Sequence, residues 1–328
     1  MKFIHKLIIG AGIILLLAII VSWFANLKSD TPDVAQVGIG TFSQAIDYGP
    51  VYVARHFGWF EEAVRKTGVE KIEYLELGGF DEIQAALREG KLHVLFSAET
   101  PVIKLVSDTQ PIRITKIGAT LQQDVLVRKD REINSIAELK GKSIAVAEGT
   151  SSHYGLLAIL ASAGLSEQDV TLRPGFPGVA KPLFESGGVD AWAVWPPFVE
   201  EQILAKRGIA LTGGNARIQS VVSLHTAMIN QRPETAEALM NTVQRAKMWM
   251  RANSDEAITI VAQALKLDRE VVKLAWPKHN WGARLDEEVL ADIDAKAAFL
   301  KEVGIIAEQT AVPMRSEIVD LSYVSNTQ

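Results

Sequence analysis

Gly141-Lys142-Ser143-Ile144-Ala145-Val146-Ala147-Glu148-Gly149-Thr150-Ser151-Ser152-His153-Tyr154-Gly155-Leu156-Leu157-Ala158-Ile159-Leu160 changes its period halfway along. Ser143 to Ala147 is a β-branched and small apolar run that reads as a buried strand. It breaks at Glu148-Gly149. Leu156, Ile159 and Leu160 then recur at helical spacing until Gly164 stops the helix. Between strand and helix stand three hydroxyl residues and a histidine. A helix opening here aims unpaired backbone N–H groups and its positive dipole end into the loop, where Thr and Ser add donors. That is a place for a small anion. Taken alone, the motif favours Thr150 or Ser151 acting only as a helix cap, since ordinary helices need caps, so the rest of the chain has to decide.

At 328 residues and 48% hydrophobic content, the chain can bury one large or two ordinary cores. It has no cysteine, which excludes disulfides, thiolate metal sites, a cysteine nucleophile and a lipid attachment cysteine. Six histidines lack metal-ligand spacing, and nothing calls for a cofactor. A net charge of −5 without a basic block argues against nucleic acid as a partner.

Lys2 and Lys6 precede an uncharged apolar run of 19 residues, Leu7 to Ala25. A bilayer-spanning helix needs about 20, whereas the apolar core of a signal peptide has about 7–15 and ends in a small-x-small site. Trp23 stands at the −3 position before Ala25, a poor fit to cleavage. The run therefore reads as an uncleaved inner-membrane anchor, with a long cleaved signal as the rival. Either way the remainder is exported, and without Lys2, Lys6 and Lys28 it holds 31 basic and 39 acidic side chains, near −8.

A strand-loop-helix order recurs. Ala35–Ile39 reads as a strand, followed by a loop and by Pro50 opening a helix. Lys71–Leu77 leads through Gly78-Gly79 to Glu82–Arg88, where Asp81 with Gln84 resembles a cap. Leu92–Phe96 ends in Ser97-Ala98-Glu99-Thr100-Pro101. Further strands are expected at 123–129, 170–174, 189–195 and 221–230, and the chain is helical afterwards, with Asp268 and Asp286 as caps. This pattern predicts an α/β protein with two lobes of mainly parallel sheet flanked by helices, the C-terminal helices packing back on the first lobe.

Ligands of such sheets bind beyond the carboxyl ends of the strands. The residues expected there are Ser43, Gln44, Tyr48, Gly79, Glu99, Thr100, Thr150, Ser151, Ser152, His153, Asp190, Trp192 and Trp195. Hydroxyls and backbone donors suit an oxyanion, and aromatic walls suit a short apolar substituent. No catalytic set accompanies them: the chain has no Gly-x-Ser-x-Gly elbow, phosphate-binding loop or His-Glu-x-x-His pair. Ser152 and His153, adjacent on a helix, do not face each other.

Ile136-Ala137-Glu138-Leu139-Lys140-Gly141-Lys142, then Gly149-Thr150-Ser151-Ser152-His153-Tyr154 and Val189-Asp190-Ala191-Trp192-Ala193-Val194-Trp195-Pro196, resemble the solute-binding proteins of ABC importers for aliphatic sulfonates, taurine and nitrate. The resemblance runs from about Ala35 to Val324. It implies a type II periplasmic-binding fold, with two lobes joined by crossover strands near Val125–Arg128 and Thr226–Ile229, and with ABC permease and ATPase subunits as partners. Residues 1–30 would be the anchor or signal, 31–125 and 227–328 one lobe, and 126–226 the other. Thr150, Ser151 and Ser152 would then hold an anionic head, Trp192 and Trp195 would line the substituent pocket, and Ser43 and Gln44 would reach in from the first lobe. Glu99 and Glu148 place carboxylates near that site, which favours a zwitterionic ligand such as taurine over a plain alkanesulfonate. A membrane-tethered sensor of the same fold is the alternative role.

Overall fold

The computed structural model describes residues 36–42 and 45–323. The expected anchor at Leu7–Ala25, and Ser43 and Gln44, lie outside the described residues. Among those residues no helix is long and apolar enough to cross a membrane.

Nine strands form one continuous sheet among the described residues. They are β1 (Gln36–Phe42), β2 (Lys71–Leu77), β3 (Val94–Ala98), β4 (Ile112–Arg128), β5 (Ser143–Val146), β6 (Thr171–Pro174), β7 (Ala191–Val194), β8 (Gly208–His225) and β9 (His279–Asn280). Their order is β2-β1-β3-β8-β4-β7-β5-β6, with β9 on β4. The outer wings are parallel, β1 between β2 and β3 on one side and β5 between β6 and β7 on the other. The centre is antiparallel: β4 and β8 pair along almost their whole length and run from one wing into the other. One end of the ribbon meets β3, where Val94 faces Leu224; the other meets β7, where Asp124 faces Val194. The expected parallel sheets are therefore present, but separated by a two-stranded crossover.

That crossover corrects one sequence expectation. Thr226–Ile229 is no strand but the start of a helix, Thr226–Gln231, and the second crossing is β8 itself. His225 ends the strand by capping, its Nδ1 accepting a hydrogen bond from the Ala227 N–H at 3.1 Å. The first crossing reaches back from Arg128 to Ile112. Its register slips at Ile114/Lys116, Ile117/Ala119 and Asp124/Leu126, which scrambles the alternation by which a strand is recognised. A smaller correction concerns the helix Phe80–Arg88. Gly79 is its N-cap, and the side chain that reaches back is Glu82, accepting from the Gly78 N–H at 2.8 Å, not Asp81 or Gln84.

Each wing buries side chains on both faces, as a sheet clad by helices must. Val37, Ile39 and Val94 pack under Leu239, Val243 and Val261 of the helices Pro233–Ala252 and Ser254–Leu265. Leu95 and Ile114 of the opposite face meet Ile293 and Leu300 of Glu287–Glu302. The C-terminal helices thus fold back on the first wing, as expected. In the second wing period-two alternation divides the core. Ile144 and Val146 join Leu156 and Leu160 on one face, while Ala145 joins Trp192 and Phe184 on the other.

Behind the crossover, β9 lays His279 on Leu121. The imidazole is buried, stacks on Trp281 at 5.1 Å and has its Nδ1 3.0 Å from the Ala275 carbonyl. Burial lowers its pKa from 6.5 to about 4. The unfolded chain therefore binds a proton that the native protein refuses between pH 6.5 and 4, so stability falls as pH drops through that window. The loss should reach about 3 kcal/mol at pH 4. His279→Phe should remove this component; urea unfolding of both proteins at pH 7 and pH 4.5 measures it, and equal acid losses would refute it.

Candidate functional site

Gly149 makes the turn between β5 and the helix Ser151–Ser162 with φ +67°, and a Cβ there would lie 2.4 Å from the Ile305 side chain. Both the left-handed backbone and the close approach require glycine. Thr150 then caps the helix. Its Oγ1 accepts from the His153 N–H at 3.4 Å and donates to the Ala147 carbonyl at 2.6 Å. The Ser152 hydroxyl donates to the Ala193 carbonyl of β7 at 3.1 Å. Ser151 alone of the three reaches across to the other wing. Its N–H donates to Thr100 Oγ1 at 3.1 Å, and the two hydroxyl oxygens are also 3.1 Å apart. Thr100 lies in the first turn of the helix Glu99–Ser107, directly after β3. Two helices that follow parallel strands of opposite wings therefore touch at their N-terminal ends.

Beside this contact is a cavity of about 320 Å³. Its walls come from the carboxyl ends of the parallel strands: Phe42, Ala45, Asp47 and Tyr48 after β1, Gly78 after β2, Thr100 and Pro101 after β3. Across from them stand Thr150, Ser151 and Ser152 after β5, Phe176 to Gly178 after β6, and Trp195 and Phe198 after β7, while Leu121 and Ile218 of the crossover complete the lining. This is where a ligand of parallel sheets belongs. Phe42, Phe176, Trp195 and Phe198 make much of it aromatic, and no Lys, Arg or His is among the described lining residues.

Of the residues expected from sequence, Tyr48, Thr100, Thr150, Ser151, Ser152 and Trp195 line the cavity. Ser43 and Gln44 lie outside the described residues, and the remaining five lie elsewhere. Gly79 caps its helix while its neighbour Gly78 takes the wall position. Glu99 is fully buried beneath the helix end, ion-paired with Lys296 and accepting from the Gln219 N–H at 3.2 Å. His153 turns away, its Nδ1 accepting from the Gly149 N–H and its ring packing edge-on against Phe299; burial holds its pKa below the ordinary value. Asp190 precedes β7 and so sits at the amino end, the wrong end for a ligand. It accepts from the Ser143 N–H at 3.0 Å and hydroxyl at 2.8 Å and pairs with Arg131. Trp192 is core, between Phe184 and Phe198 at 6.0 and 5.8 Å.

Two consequences follow for electrostatics. Glu99 is neutralised by Lys296, and Glu148 is exposed and off the wall, so neither supports the zwitterion argument made from sequence. A carboxylate does line the cavity, but it is Asp47, which sequence reasoning passed over although Tyr48 beside it was selected. Asp47 is only 4% exposed. Burial pushes its pKa up to about 6, with the Ser220 hydroxyl opposing and Glu99 adding to the rise.

The arrangement can hold a small ligand between a donor-bearing helix end and aromatic walls. It lacks the nucleophile-and-base geometry of a hydrolase, since the Ser151 hydroxyl meets another hydroxyl and no imidazole faces the cavity among the described residues.

The family model described as NMT1/THI5 like matches residues 45–257. A protein of Bacillus subtilis (strain 168) named for binding aliphatic sulfonates is 30% identical over 234 residues, 68% of this chain and 69% of that protein. Among solved structures, the alkanesulfonate-binding protein SsuA from Xanthomonas axonopodis pv. citri, bound to MOPS, superposes with a TM-score of 0.69 at 21% identity, covering 86% of this chain and 95% of that one. The desulfurization enzyme DszB superposes with a TM-score of 0.62 at 20% identity, covering 88% and 98%, so the same two-lobe α/β fold also carries an enzyme. On the family match and the Bacillus relative, the chain belongs to the NMT1/THI5-like family and is homologous to the aliphatic sulfonate-binding proteins.

Proposed function

We propose that this chain is the extracytoplasmic solute-binding component of an ABC importer and that it captures a small organic sulfonate between its two wings. The carrying observation is the buried Thr100–Ser151 contact in the wall of an aromatic cavity, where helix ends from both wings converge on one spot. An oxyanion bridging Ser151 and Thr100 tightens the two wings, and the β4–β8 ribbon is the hinge about which they close. The sequence-based lobes, 31–125 with 227–328 and 126–226, fit this reading except at the second boundary, which falls within β8, because its Ser220–Leu224 stretch pairs with β3 of the first wing. The homologous sulfonate-binding proteins support the ligand class, and the chain's own Leu7–Ala25 run supports a membrane tether. That run also favours the second reading, a tethered sensor that reports the same ligand to a partner. Permease and ATPase genes beside this one support the importer; a kinase or regulator gene supports the sensor.

Ligand that binds only the native state raises the melting temperature by mass action. A thermal-shift series of methane-, propane- and butanesulfonate, taurine, sulfate and nitrate should show the organic sulfonates stabilising most, and no shift with any of them removes the sulfonate reading. Trp195→Ala should weaken butanesulfonate about eightfold more than sulfate, because burying ~50 Å² of alkyl surface contributes ~1.2 kcal/mol that sulfate never gains. Equal weakening of both would place the substituent elsewhere.

A further inference from the structure

A cavity built to take an anion carries a buried carboxylate in its wall, and that conflict has a chemical resolution. Asp47 lines the same space as Ser151, Thr100 and Trp195 and is 4% exposed. No ion pair to Asp47 forms among the described residues. The fully buried Lys296 is committed to Glu99 and Asp292. What meets the Asp47 carboxyl group is instead the neutral hydroxyl of Ser220, which also lies 3.4 Å from the Asp47 carbonyl oxygen. A carboxylate in a largely apolar enclosure is costly unless something positive meets it. A second negative group brought in by the ligand would add to that cost.

We infer that Asp47 is the counter-ion for a cationic group of the ligand, so that the cavity selects zwitterions, with a sulfonate at the Ser151–Thr100 end and a protonated nitrogen at Asp47. The inference rests on the sulfonate reading and adds to it a specificity-determining residue. It also restores a zwitterion preference on grounds different from Glu99 and Glu148. Asp47 follows β1 on the first wing and Ser151 follows β5 on the second, so a zwitterion spanning them holds the two wings together at two points of opposite charge.

The test uses isosteric pairs in which only the charge differs: taurine against propane-1-sulfonate, and 3-aminopropane-1-sulfonate against butane-1-sulfonate, by calorimetry on the whole exported chain at pH 8. The amine of at least one pair should bind about tenfold or more tighter than its alkyl isostere, a modest charge-assisted bond. Asp47→Asn, which keeps the shape and removes the charge, should erase that preference and tighten the alkyl sulfonate. If the unaltered protein binds each alkyl sulfonate as tightly as its amine isostere, the inference is overturned without reference to any variant. It is equally overturned if a folded Asp47→Asn protein keeps the tenfold preference. Failure of all four probes to bind would instead overturn the sulfonate reading beneath it.

Discussion

Ser151→Asp is expected to abolish sulfonate binding while the protein stays folded. Ser151 is the first residue of its helix, lines the cavity and is 1% exposed. A carboxylate there stands where an anionic head must sit, and two like charges about 4 Å apart at an effective dielectric of about 20 repel by ~4 kcal/mol, roughly a thousandfold in affinity. The helix tolerates it, because an acid in the first turn favours the dipole and the Thr100 hydroxyl can donate to it. Ser151→Ala should cost only ~1 kcal/mol, since the backbone N–H remains. Ser152, which the sequence presents as its equal, behaves differently: its hydroxyl donates to the Ala193 carbonyl, an acceptor that repels a carboxylate, whereas Ser151 faces a hydroxyl that can donate, so Ser152→Asp should damage folding first. Calorimetry and circular dichroism on the three variants separate these outcomes. A folded Ser151→Asp protein with parental affinity would reduce Thr150–Ser152 to helix caps.

The largest stability effect should come from Lys296→Met. Lys296 is fully buried, pairs with Glu99 and with Asp292 at 2.8 Å, and donates to the Arg217 carbonyl at 3.3 Å. Burial works against its charge, but the two carboxylates hold its pKa above the ordinary lysine value. Removing the ammonium leaves Glu99 charged, buried and unpaired, a change that costs ~3–5 kcal/mol. The double variant Glu99→Gln with Lys296→Met should recover much of that loss, because it removes the stranded charge as well. Denaturant melts of the single and double variants give the comparison, and a single variant within 1 kcal/mol of the parent would sink the argument. Glu99 immediately precedes Thr100, so the stranded carboxylate should also weaken anion binding in whatever fraction stays folded.

The elements legible in the sequence were those whose period and punctuation are local. β5, the Gly149 turn and the following helix appear as read, and so do β2, the Pro50 helix and the caps Asp268 and Asp286. The crossover was half hidden because β4 and β8 are long and bulged, and their pairing joins residues far apart in the chain. Within the candidate site, strand-end loops were found but not the facing of individual side chains. Trp192 lies within β7 and enters the core, whereas Trp195 lies just past the end of that strand and reaches the cavity, a difference set by where the strand stops. Asp190 was misplaced because the strand's amino end was taken with its carboxyl end. The pairing of Glu99 with Lys296 carried no local signal at all, and without it Glu99 looked like a charge facing the ligand. Asp47 was within reach: it neighbours Tyr48 in a strand-end loop, and a carboxylate in an apolar setting is the anomaly to look for.

The antiparallel ribbon at the centre of the sheet also sets the order in which the chain can finish folding. β5, β6 and β7 lie close together in sequence and can pair as soon as they are made. β1, β2 and β3 can do the same among themselves, but the far edge of β3 cannot be filled then: its partner is β8, with Val94 waiting for Leu224. At about 5–20 residues synthesised per second, that edge stays bare for on the order of ten seconds, and Val37, Ile39 and Val94 stay uncovered until the helices beyond Pro233 emerge. The newborn N-terminal third is therefore the part most in need of a chaperone, and the part that most easily remains threadable through a translocation channel.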